Sequence, residues 1–366
     1  MNTFSSQLAD HFAGRRIFVT GNTGFKGSWL SHWLLELGAN VAGYSDENLT
    51  TPSLYNELSL NARVKQVTGD IADFDLLRTT VKEYEPDYIF HLAAQSIVST
   101  SLEKPLETFR TNTLGSVTLL EVLRSLKFDG IAVLITSDKC YENDERIDGY
   151  SEIDKMGGKD PYSASKGAAE LAISAYLRTY FLNSSGPRIG VGRAGNVIGG
   201  GDWNENRIIV DCIKAWQTNQ PVYLRNPDST RPWQHVLEPL SGYLQLALQL
   251  SNGGIKSGEA FNFGPSEGQI FTVSEIVKKL ALIWPNCPGV EYSPKTQTAL
   301  ETEAKLLSLN CNKALSQLGW QSTLEIDDCL GLIGEWYLAC EAKLDLREVT
   351  SRQISYFQSK FQLVKK

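Results

Sequence analysis

The sequence predicts an α/β fold, in which a doubly wound parallel sheet carries a smaller mixed α/β substrate-binding lobe. Short β-branched and aromatic runs alternate with helical stretches through the first half of the chain, and the first run leads through a glycine-rich turn into a helix. Such alternation is typical of parallel strands joined by right-handed crossovers. A length of 366 residues exceeds what one hydrophobic core usually supports, which favours two domains.

The elements of the first half are predicted from periodicity and from the residues that end each run. From Arg15, the string RRIFVTG reads as a strand, and SWLSHWLLELG reads as a helix that ends at Gly38. Strands are then expected at 40–44, 64–70, 87–94 and 130–137, with helices between them that end at Tyr84 and span 111–126. Strands therefore alternate with helices in this half of the chain.

After about residue 190 this rhythm weakens, and loops rich in Gly, Asn and Pro separate shorter helices such as 272–284 and 313–320. We therefore expect a dinucleotide-binding (Rossmann) domain over 1–190 and a substrate-binding domain over 191–366. A segment near 233–258 is expected to return to the first domain.

Composition and charge exclude several classes of protein. The chain is 42% apolar and 21% charged, and it has no uninterrupted apolar run of the roughly 18 residues that cross a bilayer. No membrane segment is expected, and the absence of an export signal predicts a cytoplasmic location. The net charge of −7 argues against a nucleic-acid partner. Six scattered cysteines without a CxxC pair predict neither a metal site nor a disulfide framework.

A glycine-rich turn predicts dinucleotide binding. Gly21, Gly24 and Gly27 follow the first strand and precede the first helix of the alternating region. Glycines at this spacing allow a sharp turn and let a pyrophosphate approach the helix N-terminus, where free N–H groups favour negative charge. The alternative is a tight turn with no ligand.

Further cofactor contacts are expected at the ends of later strands. Asp70 and Ile71 would lie beside an adenine ring, although Asp70 could instead cap the next helix. Ala93 and Ala94 would leave room for the cofactor or simply pack. An acidic residue after the second strand would hold a ribose 2′-hydroxyl, and Asp46 at this place favours NAD over NADP. The full predicted cofactor site is Gly21, Thr23, Gly24, Phe25, Gly27, Asp70, Ile71, Leu92, Ala93 and Ala94.

The string DPYSASKGAAELA predicts a catalytic pair. Asp160 can cap a helix and Pro161 can occupy its first turn, which places Tyr162 and Lys166 one turn apart on one face. An ammonium near a phenol lowers the pKa of the phenol, so Tyr162 is a credible general base for a hydroxyl. On spacing alone the two residues could be an ordinary surface pair.

Three motifs, GxxGxxG at 21–27, HLAA at 91–94 and YxxxK at 162–166, resemble those of the extended short-chain dehydrogenase/reductase family over nearly the whole length. The longer strings GFKGSWL, TSDKCYEN, GRAGNVIGGGDW and RPWQHV are similar to those of its members that dehydrate CDP-linked glucose. The resemblance implies a nucleotide diphosphate-sugar substrate and an NAD that is regenerated in each turnover. It also implies a place in deoxysugar and lipopolysaccharide biosynthesis.

The resemblance also implies roles for individual residues. Tyr162, with Lys166, would take the proton of the sugar 4-hydroxyl during oxidation at C4, and Ser137 would hydrogen-bond the 4-oxygen. Asp138 would protonate the departing 6-hydroxyl. Lys139 stands where relatives that act on dTDP-glucose carry a glutamate base, so its role stays open. It could remove the C5 proton, stabilise the enolate as an ammonium, or form an ordinary ion pair with Glu142 or Asp138.

The resemblance further assigns the substrate's diphosphate to Asn196, Arg207 and Arg231, because guanidinium groups bind phosphate oxygens in bidentate fashion. Gln95 is expected to reach the hexose. Helices 111–126 and 162–182 are expected to pair two subunits, giving a homodimer or homotetramer.

Two other functions remain open. An epimerase or decarboxylase on the same scaffold would also oxidise C4 but would not need Asp138 and Lys139 to expel water. A nucleotide-binding regulator without catalytic activity would keep the glycine turn but would have no use for Tyr162 and Lys166.

Overall fold

The computed structural model describes residues 4–46, 50–146, 148–182, 186–266, 269–292 and 306–361. The strands within these ranges are β1 (Arg16–Thr20), β2 (Asn40–Ser45), β3 (Lys65–Thr68), β4 (Tyr88–His91), β5 (Ile131–Ile135), β6 (Arg188–Ala194), β7 (Val197–Ile198), β8 (Val222–Leu224), β9 (Thr230–Arg231), β10 (Gln234–His235), β11 (Ala260–Phe263), β12 (Phe271–Thr272) and β13 (Val290–Tyr292).

The α-helices are α1 (Phe4–Phe12), α2 (Phe25–Glu36), α3 (Leu54–Glu57), α4 (Phe74–Tyr84), α5 (Val98–Glu103), α6 (Pro105–Phe109), α7 (Gly115–Ser125), α8 (Pro161–Tyr176), α9 (Ile208–Gln217), α10 (Leu237–Ser251), α11 (Val273–Ile283), α12 (Ile326–Glu341) and α13 (Leu346–Lys360). Shorter 3₁₀ turns lie at Leu60–Ala62 and Asp138–Cys140. π-Helical turns lie at Arg110–Leu114, Leu177–Phe181 and Ala314–Leu318.

The main sheet has seven parallel strands in the order β11-β6-β5-β4-β1-β2-β3. Its central strands are apolar on both faces: all five residues of β5, IAVLI, are buried, and so are the last four of β1. Strands of this kind require helices on both sides of the sheet. The structure confirms the predicted doubly wound parallel sheet.

The chain order reverses at β1, because β2 and β3 extend the sheet on one side while β4, β5, β6 and β11 extend it on the other. In sheets of this type a crevice opens at such a reversal, outside the carboxyl ends of the strands. The residues that directly follow β1, β2, β4 and β5 therefore meet at one edge.

Two helices that begin at this edge have different N-termini. In α8 the Asp160 carboxylate accepts a hydrogen bond from the Ser163 N–H at 2.9 Å, and Pro161 occupies the first turn, both as predicted. In α2 the N-cap is Gly24, which has no side chain to bond the first N–H groups. The start of α2 is thus left open to a ligand.

The second half of the chain adds helices and three two-stranded sheets, formed by β7 with β10, β8 with β13, and β9 with β12. One hydrophobic cluster runs from the main sheet into this half and includes Val133, Tyr243, Phe263, Trp320 and Trp336. Strand β11 pairs with β6 in the main sheet. The division into domains at residue 190 stays a prediction.

Several elements differ from the sequence-based expectation. The helix expected over 111–126 begins with the π-helical turn Arg110–Leu114, and the helix expected to reach residue 182 changes to a π-helical turn at Leu177. Helices α1, α12 and α13 lie outside the elements that were predicted from the sequence. No helix in the described ranges is long and apolar enough to cross a membrane.

Candidate functional site

A cleft of about 1840 Å³ lies at the edge of the sheet where the strand order reverses. The glycine turn and the ends of β2 and β4 line one part of it, and α8 and the segment after β5 line the centre. Residues of the second half line the far side. All the residues predicted to bind cofactor or substrate or to act in catalysis line this cleft.

Close packing explains the glycines of the turn. Gly21 has a φ of +69°, and a Cβ there would lie 2.7 Å from the Ala93 nitrogen. A Cβ on Gly27 would overlap the Gly21 carbonyl oxygen. The glycines thus bring the turn against the end of β4 and leave the N-terminus of α2 facing the cleft. This arrangement fits a pyrophosphate.

The next part of the cleft fits an adenosine. The Thr23 and Ser45 hydroxyls lie 2.6 Å apart, which ties the glycine turn to the end of β2, and Asp46 follows directly. The Asp70 carboxylate accepts from the Ala72 N–H at 2.8 Å and pairs with Arg110 at 2.7 Å. The N-cap of α4 is Asp73, so Asp70 does not have the alternative capping role.

Tyr162 and Lys166 lie on one face of α8, and their side chains are almost completely buried. Burial raises the pKa of Tyr162 to about 12, although a hydrogen bond with Ser137 opposes the shift. The expected lowering of this pKa is therefore wrong for the protein without its ligands. Burial, and next the charge of Lys26, lower the pKa of Lys166 to about 8, which weakens the positive charge beside the phenol.

Ser137, Asp138 and Lys139 form the start of a 3₁₀ turn directly after β5. The Ser137 hydroxyl donates to Asp138 Oδ1 at 2.8 Å and accepts from the Lys139 N–H at 3.2 Å. Asp138 Oδ2 is buried and has no hydrogen-bond partner among the described residues. Burial raises the pKa of Asp138 against the opposing charge of Lys139. A protonated Asp138 could therefore donate a proton into the cleft.

Lys139 also lines the cleft and is half-buried. Within the ranges that the structure describes, its amine forms no ion pair with Glu142 or Asp138, which argues against the purely structural alternative. Its charge still acts on the buried Asp138 carboxyl, whose pKa it lowers against the effect of burial.

The structure brings a second lysine, Lys26, to the same place. It lies in the first turn of α2 and is half-buried. Burial, and next the charge of Arg207, lower its pKa to about 8, while Asp138 opposes the shift. Sequence reasoning missed Lys26. The signal was a basic residue between Gly24 and Gly27, directly at the predicted pyrophosphate site.

Asn112 was also missed, because it lies in a helix with no recognisable motif. Its amide accepts from the Gln95 N–H at 2.9 Å and donates to the Ser165 hydroxyl at 2.9 Å, which joins the end of β4 to α8. The Gln95 side chain donates to the Ile97 carbonyl oxygen in its own loop and to the Thr108 hydroxyl of α6, both at 3.0 Å. Its predicted contact with the hexose stays a prediction.

The predicted phosphate-binding residues lie on the far side of the cleft. The Arg207 guanidinium is 3.4 Å from the Ser96 carbonyl oxygen, so it reaches across to the loop after β4. Arg231 is nearly buried in β9, and its guanidinium donates to the Thr230 carbonyl oxygen at 2.7 Å. Asn196 lies between β6 and β7. Two guanidinium groups and one side-chain amide thus line the cleft of a protein whose net charge is −7.

Comparison with known proteins agrees with this geometry. The family model described as GDP-mannose 4,6 dehydratase matches residues 18–332. The chain is 45% identical over 350 residues to the CDP-glucose 4,6-dehydratase of Salmonella typhimurium, an alignment that covers 94% of this chain and 97% of that protein.

Solved structures share the fold. The epimerase Mth375 of Methanothermobacter thermautotrophicus superposes with a TM-score of 0.79 at 23% identity, covering 94% of this chain and 97% of the other. The dTDP-glucose 4,6-dehydratase of Bacillus anthracis, solved in complex with NAD, superposes with a TM-score of 0.74 at 22% identity, covering 91% and 100%.

Proposed function

The chain belongs to the GDP-mannose 4,6-dehydratase family, and we propose that it converts CDP-glucose into CDP-4-keto-6-deoxyglucose. The observation that carries the proposal is the 45% identity to a CDP-glucose 4,6-dehydratase along nearly the whole chain. The cleft agrees with it, because Tyr162 of α8 and the segment Ser137–Lys139 face the same space. The enzyme is an NAD-dependent nucleotide-sugar 4,6-dehydratase, and its product would feed deoxysugar biosynthesis.

The cofactor is NAD, which when bound accepts a hydride from C4 of the sugar and returns it to C6. The glycine turn and the open N-terminus of α2 would hold its pyrophosphate. The Asp46 carboxylate at the end of β2 would accept a hydrogen bond from a ribose 2′-hydroxyl and repel a 2′-phosphate. Asp70, Ile71, Leu92, Ala93 and Ala94 would enclose the adenosine and the second ribose.

Oxidation at C4 requires a base for the 4-hydroxyl proton. Tyr162 would take this proton, and Ser137 would hydrogen-bond the 4-oxygen. Burial alone disfavours the phenolate. A positive charge that comes with the ligands would favour the phenolate, and Lys166 would add to it.

Water leaves from C6 once C4 is a ketone, because the ketone acidifies the hydrogen at C5. Asp138 would give its proton to the departing 6-oxygen, a role that fits its raised pKa. Lys139 would act at C5, either as the base that removes the proton or as an ammonium that stabilises the enolate. Arg207, Arg231 and Asn196 would hold the diphosphate.

Incubation with CDP-glucose, dTDP-glucose and UDP-glucose tests the proposal. We expect an alkali-labile 4-keto product, lighter than its substrate by one water, from CDP-glucose in preference to the other two. Tyr162→Phe should lower the rate by about 10²–10⁴-fold, the usual contribution of a general base. A product of unchanged mass would indicate an epimerase, and bound NAD without turnover of any of the three sugars would indicate a regulator.

The proposal includes a homodimer that could pair further into a tetramer. Apolar side chains are exposed along two adjoining helical regions, at Leu106 (82% exposed) and Leu114 before α7, and at Leu171 (64%) and Tyr180 on and after α8. The helical regions that carry these side chains contact one another, since α8 packs on α6, on α7 and on the Arg110–Leu114 turn. A cytoplasmic location also belongs to the proposal, supported by six cysteines without a disulfide.

A further inference from the structure

A buried ion pair lies beneath the cleft and touches none of the space that a substrate would occupy. Arg193 of β6 donates to both carboxylate oxygens of Glu170 on α8, at 2.8 and 2.9 Å. The two side chains are only 5% and 6% exposed. Neither residue lines the cleft, and neither has a role in the proposed reaction.

This ion pair binds both ends of the segment that carries Ser137, Asp138 and Lys139. Before the segment, the Thr136 hydroxyl donates to Glu170 Oε1 at 2.5 Å. After it, the Tyr141 hydroxyl accepts from Arg193 Nη1 at 2.8 Å and donates to Asn262 Oδ1 at 2.7 Å. The acid and the lysine are thus held between two hydrogen bonds to one ion pair.

The same ion pair belongs to the helix that carries the other two catalytic residues. Glu170 follows Lys166 by four positions and Tyr162 by eight, so the three side chains lie along one side of α8. In the proposed reaction Tyr162 acts at O4 and Asp138 at O6, two oxygens of the same sugar that are separated only by C4, C5 and C6. The distance between α8 and the turn after β5 therefore decides whether both groups reach their atoms.

We propose that Glu170, Arg193, Thr136 and Tyr141 form a positioning clamp that sets the Asp138–Lys139 turn relative to Tyr162. This inference rests on the proposed dehydration. Glu170 and Arg193 lie outside the cleft lining, and Thr136 and Tyr141 line the cleft on either side of the catalytic segment. A role in stability alone does not explain the arrangement, since apolar side chains of similar volume often stabilise a core as well as a buried ion pair does. The hydroxyls of Thr136 and Tyr141, which bind the ion pair, are the ones that flank the segment Ser137–Lys139.

Loosening the clamp should affect the two half-reactions differently. Oxidation at C4 needs Tyr162, which is held by its own helix, whereas elimination needs Asp138 and Lys139 on the turn. A displaced turn should slow elimination more than oxidation. The 4-keto sugar and the reduced nicotinamide should therefore accumulate together during turnover. A displacement of about 1 Å can lower a rate by roughly 10²-fold.

Two conservative variants test the clamp. Tyr141→Phe removes one hydroxyl but keeps the ring that stacks on Tyr150 at 5.4 Å, and Thr136→Val keeps its volume. Tyr88→Phe is the matched control, because its buried hydroxyl bonds His11 at 2.7 Å and Ser251 at 3.1 Å far from the cleft. The measurements are kcat and KM with CDP-glucose, the near-ultraviolet absorbance of reduced nicotinamide during turnover, and Tm.

We expect each clamp variant to lower kcat by about 10-fold with KM changed less than about twofold, and the reduced nicotinamide to accumulate in the steady state. Tyr88→Phe should lower Tm to a similar extent without accumulation. The clamp is refuted if the variants change only Tm, as the control does, or if they slow both half-reactions equally. A wild-type protein that forms no 4-keto sugar would overturn the proposed function, and the clamp with it.

Discussion

Asp138 and Tyr162 are two buried acids that need opposite protonation states in the proposed reaction. Burial favours the neutral form of both, which suits Asp138 as a proton donor and opposes Tyr162 as a base. Lys26, in the glycine turn, lies near both Asp138 and Lys166. Its positive charge therefore acts on both of these side chains. The balance of charge in the cleft therefore depends on which ligands are bound.

At the residue scale, Lys139→Ala should spare oxidation at C4 and stall exchange of the C5 hydrogen with solvent. The expected loss in overall rate is about 10²–10⁴-fold, since the variant lacks both a C5 base and a cation for the enolate. Deuterium incorporation at C5 and nicotinamide reduction measure the two steps separately. Lys155→Ala, an exposed lysine outside the cleft lining, is the control.

Lys139→Arg separates the two roles of this lysine. An arginine keeps the positive charge but does not lose its proton at any working pH. Restored exchange in Lys139→Arg would indicate an electrostatic role, and no restoration would indicate a base. Wild-type exchange in Lys139→Ala would contradict both.

At the scale of elements, α8 has two proposed roles on different sides. One side carries Tyr162, Lys166 and Glu170, while Leu171 on the other side is 64% exposed. In the proposed dimer, a second copy of the chain covers this exposed leucine. The helix could thus join the catalytic site to the subunit interface.

We expect Leu171→Glu to convert the proposed dimer into a monomer, because pairing would bury two carboxylates without partners. Light scattering at several protein concentrations measures the change. Leu282→Glu is the matched control, since Leu282 is 88% exposed on α11, away from α7 and α8. A wild-type protein that is monomeric, or a Leu171→Glu protein that stays dimeric, would contradict this interface.

At the scale of the whole molecule, α10 packs on β5 and β6 of the main sheet and binds the segment before α12 through a buried carboxyl. Glu238 Oε1 accepts from the N–H groups of Thr323 and Leu324 at 2.9 and 2.6 Å, and Oε2 has no partner among the described residues. Burial raises the pKa of Glu238 from 4.5 to about 8. The folded state therefore binds a proton that the unfolded state loses above its ordinary pKa.

The free energy of unfolding should consequently fall as pH rises between about 4.5 and 8, the window between the two pKa values. Glu238→Gln keeps the acceptor oxygen and removes the titration. The variant should therefore be more stable than the wild-type protein at high pH. We expect this difference in the free energy of unfolding to be larger above pH 8 than at pH 5 by roughly 2–4 kcal/mol, since each unit of pKa corresponds to about 1.4 kcal/mol. Urea unfolding at several pH values measures this. An unchanged pH dependence in the variant would show that Glu238 does not titrate in this range.

The sequence by itself determined the doubly wound sheet, the glycine turn, and the pair Tyr162–Lys166, because periodicity, glycine spacing and one helical turn are local properties. It also identified the Ser137–Lys139 segment through resemblance. Only the tertiary structure decided that burial raises the pKa of Tyr162, that Lys26 faces Asp138, and that Glu170 and Arg193 hold Thr136 and Tyr141. These depend on desolvation and on contacts between residues far apart in the chain, which no local pattern records.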